Sequence, residues 1–142
     1  MTKKVLLVED NEGDIKLIEE AITDNNLSID LDLLKDGGQT LQWVEDKING
    51  GYVDLPDLVI MDLNLPKVQG KDLLKVFKKD TILKQIPIII LTTSSLSADI
   101  NECFSSGANA YLIKPIDIIE FFDMISMIDK FWFRISCLPE LN

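Results

Sequence analysis

Residues 56–66 read PDLVIMDLNLP: four consecutive apolar residues, Leu58 to Met61, run straight into a single carboxylate, Asp62. A short apolar run between turn signals fits a strand covered on both faces, as in the parallel sheet of an α/β domain. Asp62 then stands at the carboxyl end of that strand. Open α/β sheets bind ligands in the crevice beyond those ends, so Asp62 is a candidate site residue by position. Read alone, Asp62 with Asn64 and Pro66 is ordinary turn chemistry. The case for a site rests on the other strand ends.

Outward from this strand, strand and helix alternate five times, which predicts a parallel sheet with helices on both faces. Strand one covers 5–8, and helix one follows from about Asn11, a suitable N-cap, with Ile15, Ile18 and Ile22 at helical spacing. Strand two, Ile29–Leu34, ends at Asp36-Gly37-Gly38. Helix two places Leu41, Val44 and Ile48 on one face and stops at Gly50-Gly51, glycines that fit a left-handed helix end. Helix three runs from about Gly70 with Leu73, Val76 and Phe77 inward. Pro87 marks the start of strand four, 88–91. Helix four begins near the N-cap candidate Ser97, turns Ile100 and Phe104 inward and ends at Gly107. Strand five, Ala110–Ile113, precedes a helix that starts near Asp117, with Glu120 completing an Asp version of the capping box.

With 142 residues the chain is one domain's worth, and 46% hydrophobic with 27% charged residues describes a soluble globular protein. The 14 basic and 24 acidic residues leave a net charge of −10, which disfavours unaided binding to nucleic acid or anionic membrane and points to a basic protein surface as partner. The N-terminal MTKKVLLVEDN meets carboxylates at once, with no cleavage site and no membrane-length apolar span, so neither signal peptide nor anchor is expected. Cys103 and Cys137 lack any metal or redox spacing, and the expectation is two free thiols in a cytoplasmic protein. No histidine is present, which removes Ser-His and Cys-His nucleophile pairs, imidazole zinc sites and imidazole pH switches.

The strand ends assemble into a constellation at the carboxyl edge of the sheet. Strand one delivers Glu9 and Asp10, strand three Asp62, strand four Thr92 and strand five Lys114. Converging carboxylates without a cation repel, and hard oxygen ligands with room for water and phosphate oxygens favour Mg²⁺. A carboxylate can attack a phosphoryl group when metal and cationic side chains neutralise the transferring oxygens. Lys114 supplies such a cation, and the Thr92 hydroxyl can donate to a phosphoryl oxygen, so that its rotamer reports the modification.

Four ordered motifs, VLLVEDN, MDLNLP, LTT and YLIKP, make nearly the whole chain resemble the receiver domain of bacterial two-component response regulators. The resemblance implies a flavodoxin-like, doubly wound five-stranded parallel sheet in the order 2-1-3-4-5. It also implies that Asp62 takes its phosphoryl group from a kinase phosphohistidine, which must belong to a partner. Asp10 would bind Mg²⁺ directly, Glu9 largely through the metal's water, and the Asn64 backbone carbonyl would add a ligand. Thr92 and Lys114 would contact the phosphoryl group, Tyr111 would be the aromatic switch, and Lys114-Pro115 would be a cis peptide. Asn64 and Ser94 occupy the positions that tune hydrolysis in the family, and Thr93 is bulkier than the small residue usual there, which narrows access to Asp62. Asp14, Asp54 and Asp57 are read as solvated or capping residues.

VEDNEGDIKLIEEA, the longer loop at 50–55 and LTTSS resemble the stand-alone regulators that partner phytochrome-type sensor histidine kinases. On that reading 1–130 is the receiver, 131–142 is a C-terminal extension with no output domain, and the output is an altered contact with a downstream protein. It is not an enzyme beyond self-phosphorylation and autodephosphorylation. Two rivals are weighed against it. Haloacid-dehalogenase-type phosphatases carry a second Asp two residues after the nucleophile, where this chain has Asn64. A pseudo-receiver binding module normally loses Asp62, Lys114 or the acidic pair, all kept here.

The final segment is unusually apolar, with twelve apolar residues among the eighteen at 116–133. Its polar residues recur every third position, Asp117, Glu120, Asp123, Ser126 and Asp129, and so wind around a 3.6-residue helix without leaving one wet face. Phe121, Met124, Phe131, Trp132 and Phe133 are therefore candidates for a second contact. An isologous homodimer through helix five and its extension is expected, against the alternative that the tail RISCLPELN folds back over them.

Overall fold

The alternation of side chains between the two faces of the strands decides the layers. In the computed structural model, which describes residues 1–141, strands β1 (Lys3–Val8), β2 (Ile29–Leu34), β3 (Leu58–Met61), β4 (Ile88–Thr92) and β5 (Ala110–Ile113) form one parallel sheet in the order β2-β1-β3-β4-β5. Successive side chains point to opposite faces, so Leu6, Val8, Val59, Met61, Ile88 and Ile90 enter one core while Val5, Leu7, Leu58, Ile60, Ile89 and Leu91 enter the other. Helices α2 (Gly37–Asn49) and α3 (Gly70–Lys79) cover the first face through Val44, Leu73, Leu74 and Phe77, and α4 (Ser97–Ser105) adds Cys103. Helices α1 (Glu12–Asp24) and α5 (Ile118–Asp129) cover the second through Ile15, Ile18, Ala21, Phe121, Ile125 and Ile128. β3 is buried along its whole length, as its unbroken apolar run requires.

Three side chains cap helix starts, two of them, Asn11 and Asp117, where the sequence places them and the third, Asp36, in the turn that the sequence reads only as the end of strand two. Asn11 accepts from the Asp14 N–H, Asp36 from the Gln39 N–H, and Asp117 from the Ile119 and Glu120 N–H groups. α4 differs: Leu96, not Ser97, is its N-cap, and no side chain caps it. The inward residue of α4 is Cys103, whereas Phe104 is 51% exposed. A nine-residue helix at this edge buries only a narrow stripe, and that stripe falls one residue earlier than hydrophobicity alone suggests. Ile48, expected inward on α2, is likewise exposed in its last turn. Gly51 (φ +79°) takes the left-handed conformation beyond α2, while Gly50, the C-cap itself, does not.

The C-terminal segment corrects the expectation of five free apolar residues. Phe121 is fully buried in the core, and Trp132 and Phe133, in a π-helical turn at Lys130–Ile135, pack against the same cluster. Residues 138–141 return beneath the sheet, where Leu138, Pro139 and Leu141 face Met1, Pro56, Ile86 and Pro87 across a cavity of about 440 Å³, and Leu141 packs on the core. Of the five, Phe131 alone is exposed.

Candidate functional site

β1, β3 and β5 all end at one edge, and the residues just past them meet there. Lys114, immediately after β5, extends its ammonium to Glu9 Oε1 at 2.6 Å, Asp14 Oδ2 at 2.8 Å and Asp62 Oδ2 at 3.0 Å. Its side chain is only 7% exposed. An ammonium has three N–H donors, and three carboxylates take them. The Lys114 backbone N–H donates to the Thr92 carbonyl at 2.7 Å, continuing the β4–β5 ladder one residue further and fixing where this side chain starts.

Two of the three, Glu9 and Asp62, are also held by neighbouring backbone N–H groups. Glu9 Oε2 accepts from the N–H groups of Asp10 and Asn11 at 3.1 and 3.2 Å, and Asp62 Oδ1 accepts from the Leu63 N–H at 2.7 Å. The Asp62 backbone N–H donates to the Val8 carbonyl at 3.0 Å, setting β3's end beside β1's. Beyond Asp62 the chain is clamped: Gly70 N donates to the Leu63 carbonyl and Gly37 N to the Pro66 carbonyl, at 2.8 and 2.9 Å. A Cβ on Gly70 would lie 2.2 Å from the Asp62 carbonyl oxygen, and one on Gly37 would lie 2.1 Å from that of Val68. Both glycines are places where one backbone must approach another.

Burial decides the electrostatics. It pushes the Glu9 carboxyl up to about 7, the hydrogen bond from Lys114 opposing the shift and the Asp62 charge adding to it. Burial also pulls the Lys114 ammonium down, but the hydrogen bonds it donates to Asp14 and Glu9 and the charges of Glu9 and Asp62 outweigh it, so the net shift is upward. A carboxyl raised this far lacks enough positive charge around it.

Among the described residues, Glu9, Asp10 and Asp62 offer carboxylate oxygens that lie within 4.8 Å of one another. Asp10 is exposed while Glu9 and Asp62 are buried. This donor set, all hard oxygen and open to solvent on one side, fits a divalent cation that keeps part of its water shell. The same edge carries the Thr92 hydroxyl, fully buried and without a hydrogen-bond partner. Such an orphan is expensive unless something completes it.

The structure thus brings Glu9, Asp10, Asp62 and Lys114 together and sets Thr92 at the same edge. Asn64 lies exposed two residues beyond Asp62, and Thr93 is also exposed. Tyr111, in β5, donates its hydroxyl to the Ser94 carbonyl at 2.8 Å. The Lys114–Pro115 bond, implied to be cis, is trans, as is every peptide bond among the described residues. Trans is the lower-energy isomer by about 0.5–1 kcal/mol for X–Pro. Asp14 is not the solvated residue the sequence suggested. The signal was the cap: with Asn11 starting α1 beside the end of β1, the first helical turn hangs over the strand ends. Asp57 accepts from the Lys4 N–H at 2.9 Å and Asp54 pairs with Lys4 at 3.6 Å, both remote from this edge.

Comparison with known proteins agrees with this geometry. Response regulator Rcp1 of Synechocystis sp. is 32% identical over 137 residues, 96% of this chain and 93% of that protein. A crystal structure of the phosphorylated cyanobacterial phytochrome response regulator RcpA superposes with a TM-score of 0.90 at 33% identity, covering 99% of this chain and 100% of that one. The Mn²⁺-bound form of Rcp1 gives a TM-score of 0.87 at 32% identity over 97% and 99% of the two chains. The model of the response regulator receiver domain matches residues 5–126. With the sheet order, the acidic cluster and the buried lysine in agreement, the chain belongs to the response regulator receiver domain family.

Proposed function

We propose that this chain is a single-domain response regulator that accepts a phosphoryl group on Asp62 from a phosphohistidine of a partner sensor histidine kinase. The observation that carries the reading is that Asp62, at the end of the fully buried strand β3, meets both the Lys114 ammonium and the carboxylate cluster while staying the more open of the two carboxylates that do so, 7% exposed against 1% for Glu9, whose second oxygen is taken by two backbone N–H groups. An Asp62 oxygen forms a bond to phosphorus as the bond from phosphorus to the imidazole nitrogen breaks, and that nitrogen keeps the electron pair. Lys114 stands where it can take charge on a phosphoryl oxygen, and the Thr92 hydroxyl has a free donor for another. Mg²⁺, held by Glu9, Asp10, Asp62 and the Asn64 carbonyl, would neutralise the remaining phosphoryl charge. Water returns the carboxylate by hydrolysis, and no other turnover is assigned to the chain.

The RcpA relative is a phytochrome response regulator in phosphorylated form and the Rcp1 relative binds Mn²⁺, which supports a phytochrome-type kinase and a divalent cation here. The output is a change in protein contacts in the cytoplasm, with no role for nucleic acid or membrane. No helix among the described residues is long and apolar enough to cross a membrane. Ile119, Met127 and Phe131 on α5 and its extension stay exposed and support a homodimer there. Light scattering over a dilution series tests it, and a monomer at tens of micromolar with and without phosphodonor would rule it out.

Intact mass after incubation with acetyl phosphate and Mg²⁺ tests the acceptor. One phosphoryl group should appear in the wild type and none in Asp62→Asn. A persistent shift in that variant, or no shift in the wild type with any donor, overturns the proposal.

A further inference from the structure

Asp14 sits in the first turn of α1, its backbone N–H fixed by the Asn11 side chain at 2.9 Å and its carboxylate 2.8 Å from Lys114 Nζ. It lies outside the set of three carboxylates that converge as a cation site. Among the described residues Lys114 is the one partner of its carboxylate.

From these contacts we propose that Asp14 is a positioning residue that competes with the incoming phosphoryl group for Lys114 and so sets how tightly the site holds that group. The inference rests on the acceptor reading of Asp62. All three Lys114 donors are occupied, so a phosphoryl oxygen can be taken only by releasing a carboxylate. Glu9 is held poorly placed to let go: it is 1% exposed and tied by two backbone N–H groups. Asp14 is the partner that yields most easily. Its side chain is 23% exposed, against 2% for Glu9 and 9% for Asp62, so water can replace the ammonium. A phosphoryl group also brings roughly 1.5 to 2 negative charges, and the Asp14 charge opposes them whether or not Lys114 has moved. Contacts of 2.8 and 3.0 Å to the same ammonium keep the Asp14 and Asp62 oxygens within about 6 Å of each other, and at an effective dielectric of about 20 to 40 removing one such charge is worth at least about tenfold in affinity.

Beryllofluoride, a phosphoryl mimic whose beryllium coordinates an aspartate oxygen reversibly and with no phosphoryl transfer, supplies the readout. Its affinity is measured by calorimetry at saturating Mg²⁺, and Mg²⁺ affinity is measured alone. Asp14→Asn should bind beryllofluoride about tenfold tighter and Mg²⁺ no more tightly than the wild type. Asp14→Glu, which restores the charge, should return to within about twofold of the wild type. A residue that merely supported the fold would weaken both ligands, and unchanged or weaker beryllofluoride binding in Asp14→Asn overturns the inference. Failure of the wild type to bind beryllofluoride at all would overturn the acceptor reading and this inference together.

Discussion

The Tyr111 hydroxyl donates to the Ser94 carbonyl across 2.8 Å, tying β5 to the connection between β4 and α4. From Ser94 the link continues, because its hydroxyl donates to Asp99 on α4 and Asp99 pairs with Lys71 on α3. A single polar chain therefore runs from the strand that precedes Lys114 to the helix that follows Asp62. Tyr111→Phe removes its first bond while leaving the ring. The expected loss is about 0.5–1.5 kcal/mol in urea unfolding, the net value of one hydrogen bond. An unchanged midpoint would mean that water serves the Ser94 carbonyl equally well.

Lys71 bridges Asp99 and Glu102 at once and holds both carboxyls below their ordinary range, with a Ser94 hydrogen bond helping at Asp99. Lowered carboxyls give stability that is complete above their unfolded values, 3.8 and 4.5, and is lost as pH falls through the folded ones. Lys71→Met should therefore be less stable than the wild type near neutral pH, and the two urea midpoints should converge as the pH approaches 3. A gap that persists in acid would assign the loss to packing.

How much was legible in the sequence follows from where the information sits. β3 and Asp62 were readable because a short apolar run ending in a carboxylate is local. The acidic pair, Thr92 and Lys114 were readable because each stands at the end of its own strand. Asp14 was not, since its role depends on a helix leaning over a lysine 100 residues away. The inward residue of α4 was missed because Cys103 and Phe104 differ in burial only through the angle at which a short helix meets α3 and β5. The folded-back tail stays an open alternative in the sequence, because its burial depends on where Pro56, Ile86 and Pro87 lie in space.

Glu9 makes stability fall as pH rises. Its carboxyl titrates near 4.5 unfolded and about 7 folded, so the folded state binds more protons between those values. Lys114 and the charges of Asp62, Asp14 and Asp10 face it from β5, β3, α1 and the end of β1. In chelator-treated buffer the wild type should lose on the order of 2–3 kcal/mol from pH 4.5 to 7 through this group. Glu9→Gln has nothing to ionise and should lack that part of the slope. Parallel stability profiles for the two proteins would show that Lys114 already compensates Glu9 fully.

Gly70 and Gly51 separate crowding from conformation. A Cβ on Gly70 would stand 2.2 Å from the Asp62 carbonyl oxygen and 2.8 Å from Leu63 Cα, both backbone atoms that no rotamer change can clear. Relief requires moving the peptide that carries the acceptor, and with it the 3.0 Å contact between Asp62 and Lys114. Gly70→Ala should therefore cost at least about 1–3 kcal/mol and also slow phosphorylation by acetyl phosphate, followed by intact mass. Gly51 has φ +79° and nothing within 4 Å of a built Cβ, so Gly51→Ala costs only the left-handed backbone, about 1–2 kcal/mol. Its phosphorylation rate should match the wild type, because the loop after α2 does not touch the acceptor. Equal slowing in both variants would trace the effect to general destabilisation, and a Gly70→Ala protein with wild-type stability would show that the loop after β3 can shift without strain.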